Sequence, residues 1–317
     1  MRWVTYRKAG DERVGLVVDD EVRALPPGVT LIELISAGAE ALAVAGHRAE
    51  RTPDCVEALS AVNLAPPIPR PPAIRDCLCF LEHMRNCQQA LGAGRELKEV
   101  WYQVPGFYFA CPSTVLGAND DFKIAPGSQW QDFELEIAAI IGPGGQDLSV
   151  AEAESAIIGY TILNDWSARD LQLIDSQLGL GQGKGKDSGM TLGPALVTPD
   201  ELAPVLHDGR LTLNASASVN GAVIGSGSTG TMDWSFPEVI SYASRGVPLR
   251  PGDVFGSGTV PTCTLVEHID AGRPETFRGW LTDGDVVQLD VEALGSIRQA
   301  VHASSAPSPI TPRLMPS

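Results

Sequence analysis

The chain has 317 residues, 44% of them apolar and 20% charged, enough for one large domain or for a small and a larger one. Its formal charge is −16, from 23 basic and 39 acidic residues, and such a surface repels phosphate backbones and anionic lipid. Nucleic acid and membrane partners are therefore excluded from the expectations. The charged N-terminus lacks the apolar core of a signal peptide, and no apolar stretch is long enough to span a bilayer. With six cysteines and no secretory signal, the expectation is a cytoplasmic protein with reduced thiols.

Residues 1–65 are expected to form a small β-rich N-terminal domain. Strands are expected at Trp3–Tyr6, Val14–Val18 and Glu21–Leu25, followed by a helix over Leu31–Ala45. A Pro-rich linker follows at 66–72, where proline's missing donor and its restriction of the preceding residue exclude helix and interior strand. The larger domain, 73–302, reads as mainly β. Phe133, Leu135 and Ile137 alternate there with Asp132, Glu134 and Glu136. Further strands are expected at Thr191–Val197, Leu211–Val219, Asp253–Ser257 and Val286–Glu292. Pro-Gly-Asp at 251–253 and Asp-Gly-Asp at 283–285 are turns, and Gly-rich 179–185 reads as a mobile loop. The tail, 303–317, is rich in Pro and Ser and is expected to be disordered.

Several constellations carry chemistry. In a strand, Glu134 and Glu136 point to one side, roughly 7 Å apart along the backbone. A solvated strand face is the commoner meaning of such a pair. Here the apolar run Ile137-Ala138-Ala139-Ile140-Ile141 follows directly, and a buried carboxylate pair calls for a hard divalent cation. The segment Asn164 to Gln172, NDWSARDLQ, ends another apolar run. Ser167 and Asp170 have the spacing of a capping box, which predicts a helix starting at Ser167 with Asp165 at the strand–helix joint. Arg169 and Gln172, three apart, then share one helical face. Asp76 and His83 stand out in the stretch 75–83, although a lone histidine is more often structural than catalytic. Lys184 and Lys186 sit in a glycine-interrupted segment that lacks the spacing of a phosphate loop. Gly256-Ser257-Gly258-Thr259 is a turn whose backbone and hydroxyls suit an anion. Cys77, Cys79 and Cys87 do not have the spacing of a zinc knuckle or ribbon.

Taken in chain order, DFELE at 132–136, GYTILNDWSARDLQ at 159–172, KGKD at 184–187 with LGPALVT at 192–198, and PGDVFGSGT at 251–259 resemble the fumarylacetoacetate hydrolase family. The resemblance runs over about residues 73–300. It implies an α+β, mainly β fold, a mixed β-sandwich roll behind the small N-terminal β-rich domain, usually as a homodimer. It also implies Mg2+, or Mn2+ or Ca2+, ligated by Glu134, Glu136, Asp165 and, as in some members, Asp76. By position, Arg169, Gln172, Lys186 and Thr259 would bind the oxygens of a small anionic oxo-acid substrate, Lys186 also stabilising developing negative charge. His83 matches the base that activates water, and Glu267 matches the residue that orients it. The implied activity is hydrolysis of a C–C bond in an acylpyruvate or 1,3-diketo acid. The alternative is a decarboxylase, dehydratase or enol–keto isomerase acting on a 2-oxo acid. The chain departs from the family pattern at Cys77-Leu78, where an aromatic pair is common, and at Ser188, where phenylalanine is common. Smaller members carry a glutamate three residues after the histidine; here that residue is Asn86, with Glu82 adjacent to His83 instead.

Overall fold

A computed structural model describes residues 1–92, 94–270, 276–311 and 313. Alternating apolar residues build the N-terminal ribbon: β1 (Arg2–Lys8), β2 (Asp11–Val18) and β3 (Glu21–Ala24) pair antiparallel in succession. After Thr30 and Glu33 close a reciprocal capping box, α1 (Leu31–Ser36) begins. The single helix expected over 31–45 is in fact two. The chain breaks at Gly38, where φ is +91°, and resumes as α2 (Ala39–Arg51). Glycine takes that conformation without the Cβ clash that other residues meet. Strand β4 (Val56–Ala58) then closes onto β3. The Pro-rich segment forms no helix or strand, yet Pro66, Pro67 and Ile68 are buried and the Pro67 carbonyl accepts the Thr5 hydroxyl at 2.8 Å.

The remaining elements that position the site are β5 (Ile74–Cys77), α3 (Leu81–Ala90), β6 (Phe107–Ala110), β7 (Leu135–Ile141), β8 (Ile157–Asp165), α4 (Arg169–Leu178) and β9 (Met190–Val197). They are followed by β10 (Asn214–Val219), β11 (Ala222–Ser228), β12 (Val254–Gly256), β13 (Val286–Val291) and β14 (Gly295–His302). The main sheet runs β4-β3-β2-β1-β9-β8-β7-β12-β5-β6, antiparallel along this order except for the β12–β5 pair. Residues 1–65 thus extend the sheet of the larger region, with Arg2 and Trp3 opposite Val197 and Leu196. A second sheet is ordered β11-β10-β13-β14.

Packing explains the apolar run in β7. Leu135, Ile137, Ala139 and Ile141 share a core with Ala217, Leu289 and Ile297 of the second sheet. Ala138 and Ile140, on the opposite face, share another core with Trp3, Leu16, Leu31 and Ile35. A strand buried on both faces reads as continuous hydrophobicity. The fold is the expected α+β architecture dominated by strands. Among the described residues no helix is long and apolar enough to cross a membrane. Residues 303–311 form no helix or strand, and residues 312 and 314–317 of the tail expected to be disordered lie outside the described residues.

Candidate active site

Adjacent strands deliver carboxylates to one point. Glu134 immediately precedes β7, Glu136 lies near its start, and antiparallel pairing sets Asp165, the last residue of β8, beside them. The Asp165 amide donates to the Glu134 carbonyl at 3.1 Å. Asp76 enters from β5, whose parallel register places it opposite Gly256 of β12. Oxygens of Asp76, Glu134, Glu136 and Asp165 all lie within 4.8 Å of one another, and all four residues are buried. Gly256 makes this possible. A Cβ there would stand 2.4 Å from Asp76 Oδ1 and 2.9 Å from Glu136 Oε2. The 256–259 turn does meet an anion, and that anion is the chain's own: the Gly258 amide donates to Glu136 Oε2 at 2.8 Å. Thr259 follows, also buried.

Two cations face this cluster. Lys186 follows the Gly-rich loop, whose Gly183 and Gly185 amides donate to Asp175 of α4 at 3.0 and 2.8 Å. Its Nζ donates to Glu134 Oε2 at 2.6 Å and also to Asp165 Oδ2. The Tyr108 hydroxyl, from β6, donates to that same Asp165 oxygen at 2.6 Å. Arg169 spreads its guanidinium over Asp132 (2.9 Å), Glu134 (2.7 Å) and the Thr264 hydroxyl (3.0 Å). Its Nη1 donates to Gln172 Oε1 at 3.2 Å, so the expected shared face is present. Lys184 is held apart in an exposed pair with Asp187.

The expected capping box is absent, and strand pairing is the reason. Ser167 and Ala168 extend past β8 to pair with Asp132 and Gln131, so α4 starts at Arg169 with no side-chain cap. The Ser167 hydroxyl donates back to the Asp165 carbonyl at 3.0 Å. Asp170 instead accepts the Ser128 hydroxyl and the Gln129 amide, each at 2.7 Å. Trp166, between the two working residues, stacks on Phe122 with centroids 3.9 Å apart and anchors the joint in the core.

Burial and like charge perturb the carboxylates of the cluster. Burial pushes the Glu136 carboxyl well above the ordinary carboxylate range, and Asp76, Glu134 and Asp165 add to the shift. Burial likewise raises Asp165, against the pull of Lys186. Glu134 moves the other way: burial opposes ionisation, but Lys186, Arg169 and His83 together hold it below the usual range. Burial and Asp165 push the Tyr108 phenol up, which keeps it a donor. Three carboxylate oxygens of the cluster, Asp76 Oδ1, Glu136 Oε1 and Asp165 Oδ1, have no hydrogen-bond partner among the described residues. Orphaned anionic oxygens in a dry cluster are the signature of a hard divalent cation site, and an oxygen-only donor set fits Mg2+, Mn2+ or Ca2+ better than zinc. The residues present therefore fit such an ion.

Beside the cluster stands a histidine–carboxylate pair. His83, on α3, contacts Glu267 Oε1 through Nδ1 at 2.6 Å, and its Nε2 lies 3.9 Å from Glu134 Oε1. Glu267 Oε2 accepts the Asn86 amide at 2.6 Å and the Thr262 backbone N–H at 3.0 Å. Burial alone would lower the His83 pKa, but Cys87 and Glu267 outweigh it and raise it well above the ordinary imidazole value. Glu82 points elsewhere, bound by Arg95 at 2.6 Å.

Four participants escaped the sequence reading. Asp132 accepts from Arg169, the Thr264 hydroxyl and the amides of Phe133, Leu265 and Val266. Its signal was available, since it alternates with Glu134 and Glu136 on one side of the chain. Gly256 was visible only as part of a turn. Tyr108 and Thr264 left no pattern, because their partners lie 57 and 95 residues away.

Comparison with known proteins is consistent with this geometry. The family model for the fumarylacetoacetate hydrolase C-terminal region matches residues 73–302. The mitochondrial oxaloacetate tautomerase of Xenopus laevis is 29% identical over 312 residues, covering 95% of this chain and 90% of that protein. The fumarylacetoacetate hydrolase of the psychrophile Exiguobacterium antarcticum superposes with a TM-score of 0.72 at 28% identity, covering 96% of this chain and 100% of its own. The maleylpyruvate hydrolase of Sphingobium sp. SYK-6, solved with manganese(II) and pyruvate, shares the fold with a TM-score of 0.70 at 23% identity over 96% of this chain and 100% of that one. On the match across residues 73–302, the chain belongs to the fumarylacetoacetate hydrolase family.

Proposed function

We propose that this protein is a divalent-cation-dependent enzyme that interconverts the enol and keto forms of a small 2-oxo dicarboxylic acid of the oxaloacetate class. The observation that carries the reading is the placement of the His83–Glu267 pair directly beside an enclosed carboxylate cluster with three orphaned oxygens. Asp76, Glu134, Glu136 and Asp165 would hold the cation. Bound there, a divalent cation supplies Lewis-acid polarisation of the oxo acid's carbonyl and carboxylate oxygens. Arg169 and Lys186 offer the cationic donors for the substrate's anionic oxygens, with Gln172 and Thr259 as neutral ones. Lys186 would also stabilise the enolate charge that develops on the substrate's oxygen. Glu267 fixes the imidazole through Nδ1, leaving Nε2 to carry the proton onto or off the carbon next to the oxo group. Burial of His83, Arg169 and Lys186 keeps bulk water from these groups. Similarity to an oxaloacetate tautomerase along nearly the whole chain supports the same reaction.

A second reading is hydrolysis of a C–C bond in an acylpyruvate or 1,3-diketo acid, because a histidine held by a glutamate can equally activate water. Two solved relatives carry hydrolase names. One experiment separates the readings. Purified protein with Mg2+ or Mn2+ is given oxaloacetate enol and, separately, a panel of acylpyruvates, with products followed by absorbance and mass. Tautomerisation accelerates loss of the enol absorbance with no change in mass. Cleavage of an acylpyruvate into two acids, with oxaloacetate untouched, would establish the hydrolase instead.

A further inference from the structure

The proton-transfer histidine belongs to a second donor set of different chemistry. Cys87 follows His83 by four residues, so both project from one face of α3. Its Sγ lies 3.7 Å from both ring nitrogens of His83. With Glu267, they place one imidazole nitrogen, one sulfur and one carboxylate oxygen within 4.8 Å of one another. Tetrahedral zinc spaces such donors about 3.4–3.6 Å apart, as its bond lengths to nitrogen, oxygen and sulfur require. The sulfur already stands near that spacing. The 2.6 Å contact between Nδ1 and Glu267 must open by under roughly 1 Å, as it would when an ion replaces the shared proton.

The surroundings are those of a supported site. Glu267 is held through its other oxygen by Asn86 and the Thr262 amide, which fixes the direction of its free lone pairs. A surface cavity of about 230 Å³, lined by Asn86, Gln89, Thr262, Glu267 and His268, lies beside this cluster. Cys87 is half-buried on the same helix.

We propose that His83, Cys87 and Glu267 form an inhibitory site for zinc and similar borderline-soft cations, separate from the oxygen-only cluster that suits hard ones. An ion there removes the proton-carrying group from service without displacing the ion at the carboxylates. The inhibitory consequence rests on the role assigned to His83 above, whereas the binding itself does not.

The test reads binding. Full-length protein saturated with Mg2+ is titrated with Co2+ as a spectroscopic probe, then with Zn2+ as competitor. One equivalent of Co2+ should produce a thiolate-to-cobalt charge-transfer band in the near ultraviolet, and Zn2+ should abolish it. Cys87→Ser should lose the band and weaken Co2+ binding by at least the roughly 10–100-fold that loss of an outer-shell partner costs. In parallel, Zn2+ should protect Cys87 from iodoacetamide, while the half-buried Cys55 and Cys111 stay reactive. A wild-type titration without the band, an undiminished band in Cys87→Ser, or equal protection of all three cysteines would overturn the site. Failure of the tautomerase assay would leave these readouts unchanged, and absence of the band would leave the proposed reaction standing.

Discussion

At the residue scale, the site works by giving similar groups different surroundings. Glu134 is pinned between Lys186 and Arg169, while Glu136, two residues on, sees mainly other carboxylates and an amide. Sequence periodicity placed both on one side, and it could not show which would be paired, because Lys186 lies 52 residues away. His83 likewise takes its character from Glu267, 184 residues distant. The sign of its pH dependence follows. If imidazolium delivers the proton in ketonisation, activity is present below the raised His83 pKa and is lost as pH rises through it. Glu267→Gln removes one of the groups that raise it, so the alkaline limb of kcat/KM should move to lower pH. An unshifted limb in a pH–rate profile would assign that limb to another group.

At the element scale, local rules competed with pairing. The spacing of Ser167 and Asp170 is a valid capping signal, but the residues after β8 continue into a short ladder with Gln131 and Asp132 and carry Ser167 away from the helix end. Asp170 therefore stabilises the 128–130 loop. Asp170→Ala should cost about 1.5–3 kcal/mol, the range for hydrogen bonds to a charged group. Hydrogen exchange should rise at Gln129 and its neighbours more than at the α4 amides; fraying confined to α4 would argue for a cap after all. Strands were legible wherever alternation or a doubly buried run left a mark, as in β1, β2 and β7. The split of the first helix was legible only through Gly38, whose φ is a property of the fold and not of composition.

At the scale of the whole molecule, a contact between distant parts of the chain ties the N-terminal ribbon to the main sheet's surroundings. Arg7 donates two bonds to Asp120, at 2.7 and 2.9 Å, and Asp120 also accepts the Gly117 amide at 2.8 Å. Partial burial works against the carboxylate, but these donors hold Asp120 below the ordinary range. A depressed carboxylate contributes stability above its unfolded pKa and loses it as pH falls through the folded one. Because the pair is partly exposed, Arg7→Ala should cost only about 0.5–1 kcal/mol at neutral pH. Urea denaturation across a pH series should show the difference from wild type vanishing in acid; a constant difference would mean that packing of the Arg7 stem, and not charge, is what is lost. None of this was legible from residues 1–65 alone, because Asp120 lies 113 residues from Arg7.

Asp132 has a consequence that reaches past its hydrogen bonds. It holds Arg169, which grips Glu134, and it also holds the backbone of Leu265 and Val266, from which Glu267 extends. Glu134, proposed to face the cation, and Glu267, the partner of His83, are thus surveyed from one benchmark. Losing the Asp132 carboxylate would therefore loosen the partner of Glu134 and the backbone that carries Glu267 together.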